Sequence, residues 1–251
     1  MRPIANIFFN MKQGTEYLNY GREIISGTVA EYAKRLERKQ IKILDIGAGS
    51  GTDLLNCKSA IEKTGKQFEF ELYGVENYEP NVATLKEAGI NVFAIDIEDD
   101  TIPLQDGEVD IVIMNQCLEH TKEIFHIFGE ISRVLGANGI CIVGVPNLAS
   151  FHNRFLLLFG KQPSPIKMFG PHVRGITRKD FIVFVEKGQY FRCMKTLGSN
   201  FYPFPPGISK GLSKVFPYAS VSIFFIIQRT EKSGIYSDVL DDVFFETPYK
   251  R

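Results

Sequence analysis

The sequence predicts an α/β fold built on a doubly wound, parallel sheet. Short apolar runs alternate with amphipathic stretches five times between residues 41 and 147, with brief connections. The apolar runs are nearly continuous, as strands are when helices cover both faces of a sheet. The first run ends in "ILDIGAGSGTDLL" (43–55), a glycine-rich turn suited to a tight passage from strand to helix.

Each element follows from its residues. Residues 15–38 put Leu18, Ile25, Val29, Tyr32, Ala33 and Leu36 on one helical face, and Gly21 and Gly27 divide that face into two helical pieces. "IKILDI" (41–46) is the first strand, and the helix after it stops near Gly65. Residues 68–76 form a second strand. The next helix has Pro80 in its first turn and Gly89 after its end. Strands are predicted at 90–96, 109–115 and 139–147, with an amphipathic helix at 122–135.

After Asn147 the pattern changes. Residues 148–176 read as a helix and a long loop over the carboxyl edge of the sheet. Thr177 and Asp180 form a capping box for a helix at 177–188. Two late strands are separated by a Pro-rich connection at 203–217. The chain divides into an N-terminal helical cap (1–40), a core (41–147), an insertion with the last strands (148–230) and a polar, partly ordered tail (231–251).

The 251 residues carry 29 basic and 29 acidic side chains, so charge gives no reason to expect nucleic acid or an anionic membrane as partner. "VSIFFII" (221–227) is far too short to span a bilayer. No signal peptide is recognised at the N-terminus. Cys57, Cys117, Cys141 and Cys193 form no CxxC pair and read as isolated thiols of a cytoplasmic protein. No His, Cys, Asp or Glu cluster has metal-ligand spacing, so no metal is expected.

The glycine loop has the spacing Gly47-x-Gly49-x-Gly51. A phosphate-binding P-loop would end in Gly-Lys-Ser or Gly-Lys-Thr, where this chain has Gly-Thr-Asp. In the dinucleotide fingerprint the third glycine comes one residue later. The helix N-terminus still offers free N–H groups to an anion. Asp45 at the strand end would repel a pyrophosphate but not a zwitterion with an ammonium group. Glu76 ends the second strand, where a carboxylate accepts from both ribose hydroxyls. Asp96 ends the third, where an acid meets the amino edge of adenine. The alternative readings are a helix-capping Asp45, a solvated Glu76 and an Asp96 that belongs to an acidic loop.

These motifs, with "VDIVIMNQCLEH", "ISRVLGANGICIVGVPN" and "HVRGITRKDF", cover about residues 41–187 in order. They resemble the class I S-adenosylmethionine (SAM)-dependent methyltransferases, particularly the small-molecule type 11/type 23 branch. The resemblance implies a Rossmann-like, mostly parallel, seven-stranded sheet with an antiparallel last strand at 219–229. It implies that Asp45, Gly47, Ala48, Gly49 and Gly51 hold the methionine part of SAM. Glu76, with Asn77, would hold the ribose. Asp96 and Ile97 would meet adenine, and Asn115 and Gln116 would pass under the cofactor.

Methyl transfer from a sulfonium needs alignment and, for a hydroxyl acceptor, removal of a proton. His120 is the expected base, or else it opens the following helix; its ordinary pKa near ~6.5 suits the task. His172 and Arg174, with His152 and Asn153, are the candidate acceptor-binding residues, and His126 reads as structural. The segment "PNLASFHNRFLLLFGKQPSP" resembles methyltransferases of bacterial surface-polysaccharide pathways. It points to O-methylation of a sugar, nucleotide-sugar or phospho-sugar, while the aromatics near 151–169 and 201–218 would equally shelter an apolar or aromatic substrate; a monomer or homodimer is expected. The competing readings are an NAD-dependent oxidoreductase or epimerase and a non-catalytic partner that kept the fold.

Overall fold

The computed structural model of the chain describes residues 21–242, 245 and 248–250. The helical residues expected before Gly21, Leu18 among them, lie outside the described residues. Helix α1 (Arg22–Ala33) starts after Gly21, the first of the two glycines expected to divide this face, and runs unbroken through the second, Gly27. Ile25, Val29 and Ala33 return at helical spacing, and their burial holds the helix across the glycine.

The sheet and its covering helices follow in order: β1 (Gln40–Ile46), α2 (Thr52–Glu62), β2 (Glu69–Val75), α3 (Glu79–Glu87), β3 (Asn91–Phe93), β4 (Val109–Asn115), α4 (Ile124–Val134) and β5 (Leu135–Pro146). Strand β3 is shorter than expected. Residues 94–96 leave the sheet, and the 96–100 turn closes on the Asp96 carbonyl through the N–H groups of Asp99 and Asp100. Strand β5 starts earlier than expected, and an irregularity after Val109 absorbs the extra residues.

The second half adds α5 (Phe151–Leu158), α6 (Arg178–Glu186), β6 (Phe191–Ser199), α7 (Pro206–Val215) and β7 (Ser222–Arg229). Helix α6 opens on the expected cap, with Thr177 Oγ1 accepting from the Asp180 N–H at 3.4 Å. Helix α7 occupies the Pro-rich connection where no element was expected. Proline in its first turn removes an N–H that has no helical partner there.

The seven strands lie in the order β3-β2-β1-β4-β5-β7-β6. The first five are mutually parallel, and β7 runs antiparallel between β5 and β6. Strand residues alternate between two cores. Ile41 and Ile43 of β1 pack with Ile25, Leu54 and Ile61 on one face. Leu44 and Ile46 pack with Phe128, Phe181 and Tyr236 on the other. Among the described residues no helix is long and apolar enough to cross a membrane.

Within the polar tail, residues 236–242 pack onto the core. A 3₁₀ segment (Tyr236–Asp242) buries Tyr236 completely. Its N–H donates to Ser132 Oγ at 2.7 Å, and its hydroxyl donates to the Phe184 carbonyl. The buried Arg229 donates to the carbonyls of Ser132, Lys232 and Gly234 at 2.8–2.9 Å and folds the chain back. One aromatic ring in a polar stretch therefore anchors it. Tyr236→Ala is expected to lower the free energy of unfolding by about 3–5 kcal/mol, as for other buried aromatic truncations. Denaturant unfolding checks this, and a loss below ~1 kcal/mol would mean that the tail does not dock.

Candidate functional site at the strand-order reversal

The strand order reverses between β1 and β4, the crevice where open α/β sheets take their ligands. The carboxyl ends of β1, β2 and β4 bring Asp45, Glu76 and Asn115 to this edge. Asp45 sits in register with Gly74 and Ile113 of the flanking strands.

The loop after β1 is shaped by positive φ at Gly47, Gly49 and Gly51 (73°, 53° and 80°). At Gly51, which caps α2, a side chain would also strike Leu85 and Ile90 at 2.8 Å. At Gly49 a Cβ would meet nothing within 4 Å, so the loop has open space in front of it. Glu76 already faces the loop. Its carboxylate accepts from the Gly49 N–H at 2.8 Å, from the Tyr78 N–H at 2.9 Å and from Asn81 Nδ2 at 3.3 Å.

Asp45 is only 2% exposed. Burial pushes its carboxyl well above the ordinary 3.8, the negative charge of Asp53 adds to this, Arg22 opposes it, and Glu76 adds further. Asp53 Oδ1 pairs with Arg22 Nε at 3.1 Å, and its Oδ2 accepts from Asn115 Nδ2 at 2.8 Å. Arg22 and Asp53 escaped the sequence reading. Asp53 stands beside the motif in "GTDLL", but Arg22 lies in a helix with no motif. Three carboxylates around one guanidinium make a site suited to a cationic ligand.

Strand β4 leaves the sheet through Gln116, a non-glycine residue at φ 54° whose N–H donates to the Gly144 carbonyl at 2.7 Å. Asn115 Oδ1 and Gln116 Nε2 are buried without hydrogen-bond partners. Two orphaned polar atoms at one sheet edge are what a ligand site leaves when nothing is bound. Cys117 abuts Gly47. Burial pushes its thiol up to about 12, with added repulsion from Glu119, Asp45, Glu76 and Glu98. It thus stands between the acidic pocket and the next group of side chains.

That group is Glu119, His120 and His172. A 3₁₀ turn (Leu118–His120) holds the first two, and the Glu119 carbonyl accepts from the N–H groups of Val173 and Arg174 at 2.9 and 3.2 Å. The two imidazole rings meet edge to face, 4.7 Å apart. Burial lowers the pKa of His120, its electrostatic interaction with His172 lowers it further, and a hydrogen bond to the Pro171 backbone opposes both. Burial raises Glu119 to about 7. The ligand atoms of all three lie within 4.8 Å of one another. The expectation that no cluster has metal-ligand spacing is thus corrected: no such spacing exists along the chain, but the fold creates one. Glu119 also escaped the sequence reading, although it is the neighbour of His120 in "CLEH". Arg174 donates Nη2–H to the Lys122 carbonyl at 3.1 Å, while its Nε is buried without a hydrogen-bond partner.

The other expected site residues stand as follows. Ala48 and Ile97 are buried and Asn77 is exposed. Asp96 is exposed, and its carboxylate accepts from the Glu98 N–H at 3.0 Å. Asn153, fully buried, donates to the Asn147 carbonyl and accepts from the Ser164 N–H, both at 3.0 Å. His152 is held between Ser150 and Ser164 at 3.2 and 3.1 Å. These two side chains brace the 148–165 segment from within. His126, in α4, contacts the Asp100 carbonyl at 3.2 Å, as a structural histidine does. An open depression of about 700 Å³ beside Tyr73, Phe93 and Arg133 is lined by no residue of the glycine loop.

Comparison with known proteins agrees with this picture. The family described as "Methionine biosynthesis protein MetW" matches residues 29–195. A 37.1 kDa protein in transposon TN4556 of Streptomyces fradiae is 28% identical over 107 residues, 41% of this chain and 30% of that protein. The non-reducing polyketide synthase ausA of Penicillium brasilianum is 31% identical over 147 residues, 53% of this chain. The chain spans only 6% of that synthase. Among solved structures, a SAM-dependent methyltransferase from Archaeoglobus fulgidus superposes with a TM-score of 0.55 at 17% identity, covering 84% of this chain and 95% of that one. The sheet and its helices are therefore those of the SAM-dependent methyltransferases.

The electrostatics carry a stability prediction. The folded state holds a proton on Asp45 more tightly than the unfolded chain does. This contribution to stability is present below the ordinary 3.8 and is lost as pH rises through the folded-state value. Asp45→Asn removes the charge and is expected to raise the thermal midpoint of the ligand-free protein by about 2–4 °C at pH 8. The gain should shrink toward pH 4. A midpoint unchanged at both pH values would mean that Asp45 is not strained by its neighbours.

Proposed function

The chain belongs to the MetW family, and from that membership and its fold we propose that it transfers a methyl group from SAM to a small polar acceptor. The acidic ring of Asp45, Asp53 and Glu76 around an open glycine loop carries this reading. SAM brings a sulfonium and an ammonium, both cationic, and a carboxylate that the N-terminus of α2 accommodates. A pyrophosphate would face three carboxylates, which argues against a nicotinamide dinucleotide.

Asp45 and the backbone of Gly47, Ala48, Gly49 and Gly51 would hold the methionine part. Glu76 would turn from the Gly49 N–H to the ribose hydroxyls, with Asn77 beside it. Asp96 and Ile97 would meet adenine, and Asn115 and Gln116 would bring their orphaned polar atoms under the ligand. Bound there, SAM supplies an activated methyl group with a neutral leaving group, so the protein's task is alignment. The acceptor side is the cluster of His120, Glu119 and His172, where His120 is the residue placed to receive a hydroxyl proton. Arg174, with an unpartnered Nε, suits an anionic group on the acceptor. O-methylation of a sugar, nucleotide-sugar or phospho-sugar in the cytoplasm fits these groups.

The family description supports a second reading. The chain would serve methionine biosynthesis by binding a methionine-like ligand at the same loop without methyl transfer. Calorimetric titration with S-adenosylhomocysteine and, separately, NAD separates the cofactor choices. Wild-type protein is expected to bind the first and not the second. Glu76→Ala is expected to weaken binding by roughly 10–100-fold, the worth of hydrogen bonds to a charged group. Preference for NAD, or binding indifferent to the substitution, would overturn the assignment. Turnover of radiolabelled SAM with a panel of phospho-sugars then decides between catalysis and binding alone.

A further inference from the structure

The geometry points to a binding site for one divalent transition-metal cation, of the zinc class, held by the Glu119 carboxylate and the imidazoles of His120 and His172. The donors come from two separate segments. The 3₁₀ turn after β4 supplies Glu119 and His120, and the 171–174 segment supplies His172. Two backbone hydrogen bonds onto the Glu119 carbonyl fix one segment against the other.

The outer contacts are those of metal-binding histidines. His172 Nδ1–H donates to the Pro165 carbonyl at 2.8 Å, which leaves Nε2 with a free lone pair. His120 is likewise hydrogen-bonded to the backbone, at Pro171. Fixing one ring nitrogen on a carbonyl sets the tautomer and aims the other nitrogen at an ion.

Glu119 supplies the charge. Its side chain is 2% exposed, and Oε2 is buried with no hydrogen-bond partner. No lysine or arginine among the described residues forms a salt bridge with it. A buried, uncompensated carboxylate is unfavourable, and a cation between it and the two rings removes the cost. The three ligand atoms lie within 4.8 Å of one another. Bonds of about 2.1 Å at tetrahedral angles put ligand atoms about 3.4 Å apart, so a closing movement of up to about 1.4 Å completes the site. Two imidazoles and one carboxylate favour Zn²⁺ or its first-row neighbours over Mg²⁺ and Ca²⁺, which prefer oxygen ligands.

Three protein ligands leave a coordination position open, as catalytic sites do. His120 is exposed, so that position is reachable from solvent. The chemical role of the ion, though not its binding, rests on the methyl-transfer reading. An acceptor hydroxyl on the cation loses its proton to solvent because the ion lowers its pKa. The oxygen then forms a bond to the methyl carbon as the carbon–sulfur bond breaks. Sulfur keeps the electron pair, and one proton is released overall. In this arrangement His120 acts as a ligand, and the ion takes over the activation that a free imidazole would give.

The test uses Co²⁺, whose visible ligand-field absorption reports imidazole and carboxylate coordination, with the full chain freed of metal by chelator. One equivalent is expected to bind. Glu119→Gln, His120→Ala and His172→Ala should each weaken Co²⁺ by more than the roughly 10–100-fold that loss of an outer partner costs. S-adenosylhomocysteine binding should stay at the wild-type value in all three. His120 is exposed, so its truncation separates ligand loss from misfolding. A wild-type titration without a stoichiometric signal, or a signal that survives all three substitutions, overturns the site. Co²⁺ binding without S-adenosylhomocysteine binding would keep the site and sink the methyltransferase reading. The reverse result would do the opposite.

Discussion

Asp45 is held inside the protein at the end of the central strand, with two more carboxylates for neighbours and one guanidinium to offset them. This arrangement is costly in the absence of a ligand, because burial and like charge both oppose ionisation. The rest of the fold makes it possible. Asp45 cannot move away, because β1 is paired on both sides, with β2 and with β4. The loop beyond it must end in glycine, because Leu85 and Ile90 leave no space for a side chain at Gly51. Arg22 reaches Asp53 only because α1 packs its Ile25–Val29–Ala33 face against the same core as α2. Stability is spent locally to keep an acidic pocket ready for a cation.

The two cores make this tolerable. Each central strand contributes buried residues to both faces, so the sheet is held whether or not its edge is satisfied. Several departures from ordinary geometry gather at the carboxyl edge: positive φ at Gln116, orphaned atoms on Asn115 and Gln116, and an unpartnered Oε2 on Glu119. Such departures cluster at functional sites because the surrounding structure over-determines them. Here they run continuously from the glycine loop through Cys117 to the histidine pair.

What could be read from the sequence was what local chemistry writes. Continuous apolar runs gave the parallel strands, and glycine spacing gave the turn after β1. Thr177 and Asp180 marked the start of α6. Asp45 and Glu76 could be placed at the carboxyl edge because each stands at the end of an apolar run. Other features depend on contacts between distant segments and leave no local mark. Helix α7 hid in a Pro-rich stretch because proline in the first turn of a helix looks like proline in a loop. Tyr236 hid in a polar tail because only its partners, Ser132 and Phe184, show that it is buried. The packing of Asn153 left no mark because a buried amide that braces a loop and an exposed one are the same residue in a sequence.

The histidine pair shows where that limit falls. His120 was visible as the residue after "CLE", and His172 as one of several polar residues in a loop, but their meeting depends on the chain returning to the end of β4. The Glu119 carbonyl fixes that return by receiving two N–H groups from the 171–174 segment. The same residue therefore uses its backbone to bring His172 in and leaves its carboxylate in the gap. A backbone contact of this kind is insensitive to side-chain identity, so it holds the two segments together whatever the acceptor. In the proposed reading acceptor choice falls to Arg174 and the 148–165 segment, which is braced from within by Asn153 and His152 and presents exposed apolar residues such as Leu158 and Phe159 outward. In the proposed reading the methyl-donor side is set by the sheet, and the acceptor side by loops anchored to it at a few buried points.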